Sequence, residues 1–110
     1  MRLREAFGQA LKRVRHKLHL TQDDFSLTAA RSYMGLLERG GTSPTLDKID
    51  ALSEQLNIHP VTLLSLSYAM RDGVEIGHVV ARVRSESELL ALDDDAPQPK
   101  RRPKRQVSPR

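Results

Sequence analysis

The sequence predicts an all-α domain of five short helices over residues 1–70, followed by a short C-terminal extension (71–92) and a disordered basic tail (93–110). Three observations carry that expectation. Apolar residues recur at three- and four-residue steps from Leu3 to Leu18 and again from Leu46 to Leu56. Between them, the segment TQDDFSLTAARSYMGLLERG (21–40) has a start signal, a break and a glycine stop, spaced for two short helices joined by a tight turn. From Asp93 onward the chain has four prolines and a single valine as its only bulky apolar residue, too little to bury and so too little to order itself.

The first helix sets Leu3, Phe7, Ala10, Leu11, Val14 and Leu18 on one face, with Arg4, Lys12, Arg13 and Lys17 on the others, and stops near His19. Thr21 suits an N-cap, and Asp24 three residues on substitutes for the usual capping-box glutamate. A second helix, about 22–28, turns Phe25 and Ala29 to the core. A third, about 30–39, turns Ala30, Met34 and Leu37 inward with Tyr33 at its edge, and Thr28 is a candidate cap for it. Gly40-Gly41 ends that helix. The fourth, 46–56, is expected to bury Leu46, Ile49, Leu52 and Leu56, with Asn57 as a left-handed C-terminal residue. His59-Pro60 opens the fifth, with Leu63, Leu64 and Tyr68 inward. Residues 74–83 have helical spacing at 76, 79, 80 and 83 but enough β-branching for a strand, and Ser85 with Glu88 reads as the capping box of a short terminal helix.

Composition narrows the function. There is no cysteine, which removes disulfides, thiolate zinc sites and thiol nucleophiles. No apolar run approaches the ~20 residues of a membrane span, and the first residues lead into an amphipathic pattern, so a cytoplasmic protein with no membrane partner is expected. The net charge is +4, with six basic residues against one acid in residues 1–20 and six basic residues without an acid in residues 100–110. Two basic clusters in a small chain favour a polyanionic partner. His16 and His19, three apart, have no convergent third ligand, and Asp93-Asp94-Asp95 reads as a linker that offsets tail charge, so neither a metal nor another cofactor is expected. No nucleophile–base constellation is present, and an enzyme is not expected.

The third helix carries the chemistry. With Met34 and Leu37 inward, its opposite face shows Ser32 and Leu36 flanked by Arg31, Gly35 and Arg39, where a surface helix ordinarily shows Lys and Glu. A helix in a DNA major groove needs small residues for close approach, an arginine fork for guanine or phosphate, and an apolar contact for a thymine methyl. Gly35 costs about 1 kcal/mol relative to alanine inside a helix; close approach to DNA, or to another helix, is a reason to carry it.

Several short motifs stand in one order: Arg15, Leu20-Thr21-Gln22, Ser32-Tyr33-Met34, Glu38-Arg39-Gly40, Ser43-Pro44-Thr45-Leu46 and Leu56-Asn57-Ile58. Together they make Leu11–Leu64 resemble the Cro and phage-repressor (XRE) helix-turn-helix family, whose fold is the lambda-repressor-like five-helix domain. The resemblance implies a bacterial or phage-encoded transcriptional regulator or repressor that binds double-stranded DNA. It implies that Ala30, Arg31, Ser32, Gly35 and Leu36 face bases, with Arg31 the main reader. Thr21, Gln22, Arg39, Gly41, Thr42 and Ser43 would meet the DNA backbone, and Arg15 and Glu38 would form a structural ion pair. The chain departs from the family in a span from Gln22 to Glu38 that is two residues short, in a turn without its usual glycine, and in Leu36 where a polar reader is common.

One such helix covers only about four or five base pairs, so a homodimer on a palindromic operator is expected, with Ile76, Val79, Val80, Val83, Leu89 and Leu90 as its candidate surface. The other reading of those residues is packing back onto the first and fifth helices. Two competing functions remain open. One is an antitoxin-like interaction module whose extension grips a protein partner; the other is non-specific nucleic-acid binding led by the tail.

Overall fold

The structure is a computed structural model that describes residues 1–95. Among those residues it is all-helical: α1 (Leu3–Lys17), α2 (Arg31–Glu38), α3 (Leu46–Leu56), α4 (Pro60–Asp72) and α5 (Ile76–Leu89), with short 3-10 turns at Gln22–Phe25 and Leu92–Asp95. The expected disordered tail lies outside the described residues, apart from Asp93–Asp95, which form part of the last 3-10 turn.

Five α-helices are present, but they are not the five expected over residues 1–70. The second expected helix shrinks to the Gln22–Phe25 turn, and the fifth α-helix comes from the extension. The shortened span explains the first change. Ala29 N–H already returns to the Phe25 carbonyl at 2.7 Å, and Ala30 is extended at ψ 151°, leaving no length for a second full helical turn. Ala30, not Thr28, therefore caps α2, and Ala30 is exposed rather than buried.

In the extension, the choice between helix and strand resolves to helix. The Ser85/Glu88 pair lies inside α5 instead of starting a new helix, so residues 76–89 run unbroken.

The core is where the periodicity placed it. Phe7, Ala10, Leu11, Phe25, Ala29, Met34, Leu37, Ile49, Leu52, Leu56 and Leu63 form one buried cluster, with Val14, Leu20, Tyr33, Ile58, Leu64, Leu66 and Met70 packed around it. Five expected core residues are outside it: exposed Ala30, half-buried Leu3, and Leu46, Leu18 and Tyr68. Leu46, at the first position of α3, is 76% exposed because a helix's first residue lies beyond the turn that covers the core. Leu18 sits on the C-terminal cap of α1 and is exposed. Tyr68 is exposed, and its ring lies 4.8 Å from the Arg71 guanidinium.

The caps agree with the residues present. Thr45 accepts from the Lys48 N–H at 3.1 Å to start α3. Asn57 ends it at φ 57°, with the Ile58 N–H returning to the Ser53 carbonyl at 3.1 Å. His59 Nδ1 accepts from the Val61 N–H at 3.0 Å, and Pro60 opens α4 where its missing N–H costs nothing. No helix among the described residues is long and apolar enough to cross a membrane.

Candidate nucleic-acid interface

The site is built on how α2 is held. Its inner face buries Met34 and Leu37 in the core, and its C-terminal end meets α1 backbone to backbone. At that crossing sits Gly8: a Cβ there would fall onto the carbonyl oxygens of Leu37 and Glu38. The position admits only glycine because no side chain separates the two helices.

A buried ion pair fixes the same junction. Arg15 Nε donates to Glu38 Oε2 at 2.7 Å and Arg15 Nη2 donates to Oε1 at 2.9 Å, a bidentate geometry. Arg15 Nη1 also donates to the Leu20 carbonyl at 2.9 Å, tying the end of α1 to the start of the 3-10 turn. The Gln22 side-chain amide completes the network by donating to Glu38 Oε1 at 3.0 Å. Burial pushes the Glu38 carboxyl up, but the hydrogen bonds from Arg15 and Gln22, with the charges of Arg15 and Lys12, outweigh it and hold the group below the usual carboxylate range. Glu38 is therefore a buried carboxylate with paired oxygens.

The turn before α2 is clamped from the other side. Lys48 Nζ, from α3, donates to the Thr28 carbonyl at 2.7 Å and lies 5.7 Å from the centre of the Tyr33 ring. Thr21 N–H donates to Asp24 Oδ2 at 2.6 Å, which shapes the start of the 3-10 turn.

What α2 leaves outside is a short edge. Arg31, Ser32, Leu36 and Arg39 are exposed, the Arg31 side chain 73% so, and the Arg31 guanidinium reaches Asp23 Oδ2 at 3.7 Å. No side chain caps α2, so its first backbone N–H groups are open to an acceptor from outside. Of the other residues expected at a DNA backbone, Thr21, Gly41 and Ser43 are exposed and Thr42 is half-buried.

Two expectations change. Gly35 is buried rather than presented to bases: a Cβ there would stand 3.0 Å from Arg39 Nη1 and 3.9 Å from Gln22 Oε1, so Arg39 covers it. Gln22 is half-buried with one amide N–H committed to Glu38, which leaves its second N–H as the only one for a phosphate. Leu36 is exposed along one side while its tip lies over Gly41, so the helix and the following loop share one surface.

Sequence reasoning passed over three features. Lys48 joins the turn to α3, a contact between positions 20 residues apart that no local pattern reveals. Leu27, in the turn itself, is almost wholly exposed. Lys12, Arg13, His16, Lys17 and His19, with Gln9 and Met70, line one shallow cleft beside the end of α1. The spacing of Gln9, Lys12, Arg13 and His16 on one helix was the available signal for that last cluster.

An α-helix with its side chains is about 10–12 Å across, close to the ~12 Å width of a B-DNA major groove. With its back pinned at Glu38 and the preceding turn pinned at Lys48, α2 holds Arg31 and Ser32 on an exposed face.

No described protein family and no curated protein matches the chain. Among solved structures it is similar to the clp gene regulator ClgR from Corynebacterium glutamicum, with 21% identity over 89% of this chain and 98% of that chain and a TM-score of 0.59. At that identity the likeness shows a shared fold.

Proposed function

We propose that the chain is a sequence-specific DNA-binding regulator of transcription that sets α2 into the major groove, as members of the XRE family do. The observation that carries the reading is the asymmetry of α2. One face is locked by core packing, the Arg15–Glu38–Gln22 network and the Gly8 crossing, while the other exposes Arg31, Ser32, Leu36 and Arg39. Arg39 covers Gly35 and Leu36 reaches over Gly41, whereas among the described residues Arg31 makes a solvent-exposed contact with Asp23 that is worth little. The similarity in fold to a solved gene regulator supports the same reading.

In this reading Arg31 is the main base-contacting side chain, Ser32 and Leu36 complete the reading edge, and Ala30 lies at its start. Thr21, Gln22, Arg39, Gly41, Thr42 and Ser43 border the phosphates. A homodimer on a palindrome supplies the length of site that one short helix lacks.

The test is selection of bound duplexes from a random DNA pool at physiological salt, for the wild type and Arg31→Ala. An enriched motif that the mutant relaxes at one base per half-site supports the reading. A motif unchanged in Arg31→Ala moves Arg31 to a phosphate. Absence of any enriched motif, with binding that disappears on deletion of residues 97–110, replaces specific regulation with non-specific binding by the tail. The antitoxin-like alternative is favoured by one observation, the exposure of the apolar residues of α5. It requires the purified chain to be monomeric and to gain order in 74–92 on a protein partner.

A further inference from the structure

Where α1, the loop before α3, α3 and α4 meet, the surface is indented by a cavity of about 250 Å³. Buried Phe7 and Ile49 and half-buried Leu3 and Leu64 form its walls, and exposed Leu46 borders it. Apart from Arg4, the polar groups on its lining side chains are the hydroxyls of Ser43 and Tyr68. A cavity of this character holds water poorly and favours an apolar guest, with the few polar groups fixing its orientation. Size sets the scale. A cavity of about 150 Å³ accepts benzene, so this one has room for on the order of ten non-hydrogen atoms.

Arg4 supplies the charge. It is half-buried, and its Nε is shielded from water with no hydrogen-bond partner among the described residues. Such a donor has lost its hydration without replacing it. The adjacent acid, Glu5, does not relieve it. Glu5 accepts from the Arg2 backbone N–H at 2.8 Å and lies 3.8 Å from Arg2 Nε, and Arg4 acts on it only through space. With no acceptor to hold it, the guanidinium is free to turn its Nε–Nη edge into the cavity that Arg4 already lines. That edge matches a carboxylate, which accepts two parallel hydrogen bonds from it. A phosphate has more charge and more oxygens to satisfy than one guanidinium and two hydroxyls in an apolar setting can serve.

We propose that this cavity binds a small monocarboxylic acid with an apolar body, its carboxylate on Arg4 and its body against Phe7, Ile49 and Leu64. The site depends on how α1, α3 and α4 pack, not on what α2 reads, and it is tested without DNA.

Phenylacetate and octanoate, two shapes of the expected size, are titrated into the full-length protein and followed by its backbone amide shifts. The matching amides, phenylacetamide and octanamide, and inorganic phosphate are titrated beside them. The expected result is a saturable shift with at least one acid, centred on the residues around Arg4, Ile49 and Leu64. The matching amide keeps the apolar body without the charge and is expected to bind at least about tenfold more weakly. Phosphate is expected to leave these residues unmoved. Arg4→Gln removes a donor that the fold leaves unpaired, so it is expected to melt as the wild type does. In that variant the acid weakens to the level of the amide, while the amide binds as before; a merely structural role for Arg4 would not separate the two. No saturable shift from either acid overturns the proposal. Equal binding of acid and amide, or an Arg4→Gln protein that binds the acid as the wild type does, overturns the carboxylate seat. Phosphate that moves the same residues as strongly as the acids overturns the apolar one.

Discussion

At the scale of single residues, Arg15 and Glu38 set the geometry of α2. Their pair is buried, bidentate and shared with Gln22, so removing one partner strands the other away from water. Glu38→Gln is expected to lose about 3–5 kcal/mol of stability in chemical denaturation, and Arg15→Met/Glu38→Leu together to lose much less. The same carboxylate gives a pH signature. Its pKa is lowered in the folded state, so its contribution is present above the unfolded carboxylate pKa and is lost as pH falls through the lower folded value. Denaturation midpoints measured downward from neutral pH should fall more steeply in the wild type than in Glu38→Gln over that acidic interval. Gly8 acts through space: Gly8→Ala places a methyl on the Leu37 carbonyl, and a loss of about 1–3 kcal/mol is expected from the overpacked crossing. A melting temperature unchanged from wild type would show that the helices can separate there.

At the scale of elements, what was legible follows from what local pattern encodes. The periodic faces of α1, α3 and α4, the Asn57 stop and the Pro60 start were all readable, because each depends on residues within one or two turns. The turn before α2 was not. Gln22–Phe25 has helix-start signals, but the chain runs out of length before Arg31, and connectivity decides against propensity. The extension was ambiguous: its spacing at 76, 79, 80 and 83 is helical while Val79, Val80 and Val83 favour a strand locally, and the residues lie in a continuous helix. Of the candidate interface, the exposed positions of Arg31 and Ser32 were legible from the helical wheel. The cover over Gly35 and the engagement of Gln22 were not, since both depend on long side chains whose partners lie elsewhere in the sequence. Lys48 is the element-scale test. It holds the Thr28 carbonyl to α3. Lys48→Met is expected to cost about 1 kcal/mol and to speed amide exchange across residues 26–30, with α1 and α4 unaffected. Exchange in the turn equal to that of the wild type would assign its rigidity to Phe25 packing alone.

At the scale of the whole molecule, charge and surface have separate tasks. Of the six basic residues in residues 1–20, Arg2 pairs with Glu5 and Arg15 with Glu38, while Lys12, Arg13 and Lys17 gather with two histidines along one cleft. The tail adds six more basic residues. Charges of this kind raise affinity for any duplex and carry no sequence information; in the proposed function, discrimination between sequences falls to the edge of α2. Deleting residues 97–110 is therefore expected to make the salt dependence of DNA binding shallower without changing the preferred sequence. A changed preference would place the tail in a groove.

The measurement closest to the central claim compares the wild type's affinity for its enriched duplex with that for a scrambled duplex of equal length and composition, at one physiological salt concentration. A ratio of about a thousandfold or more is the expected result for a protein that reads bases through α2. Equal affinities for the two duplexes would contradict it.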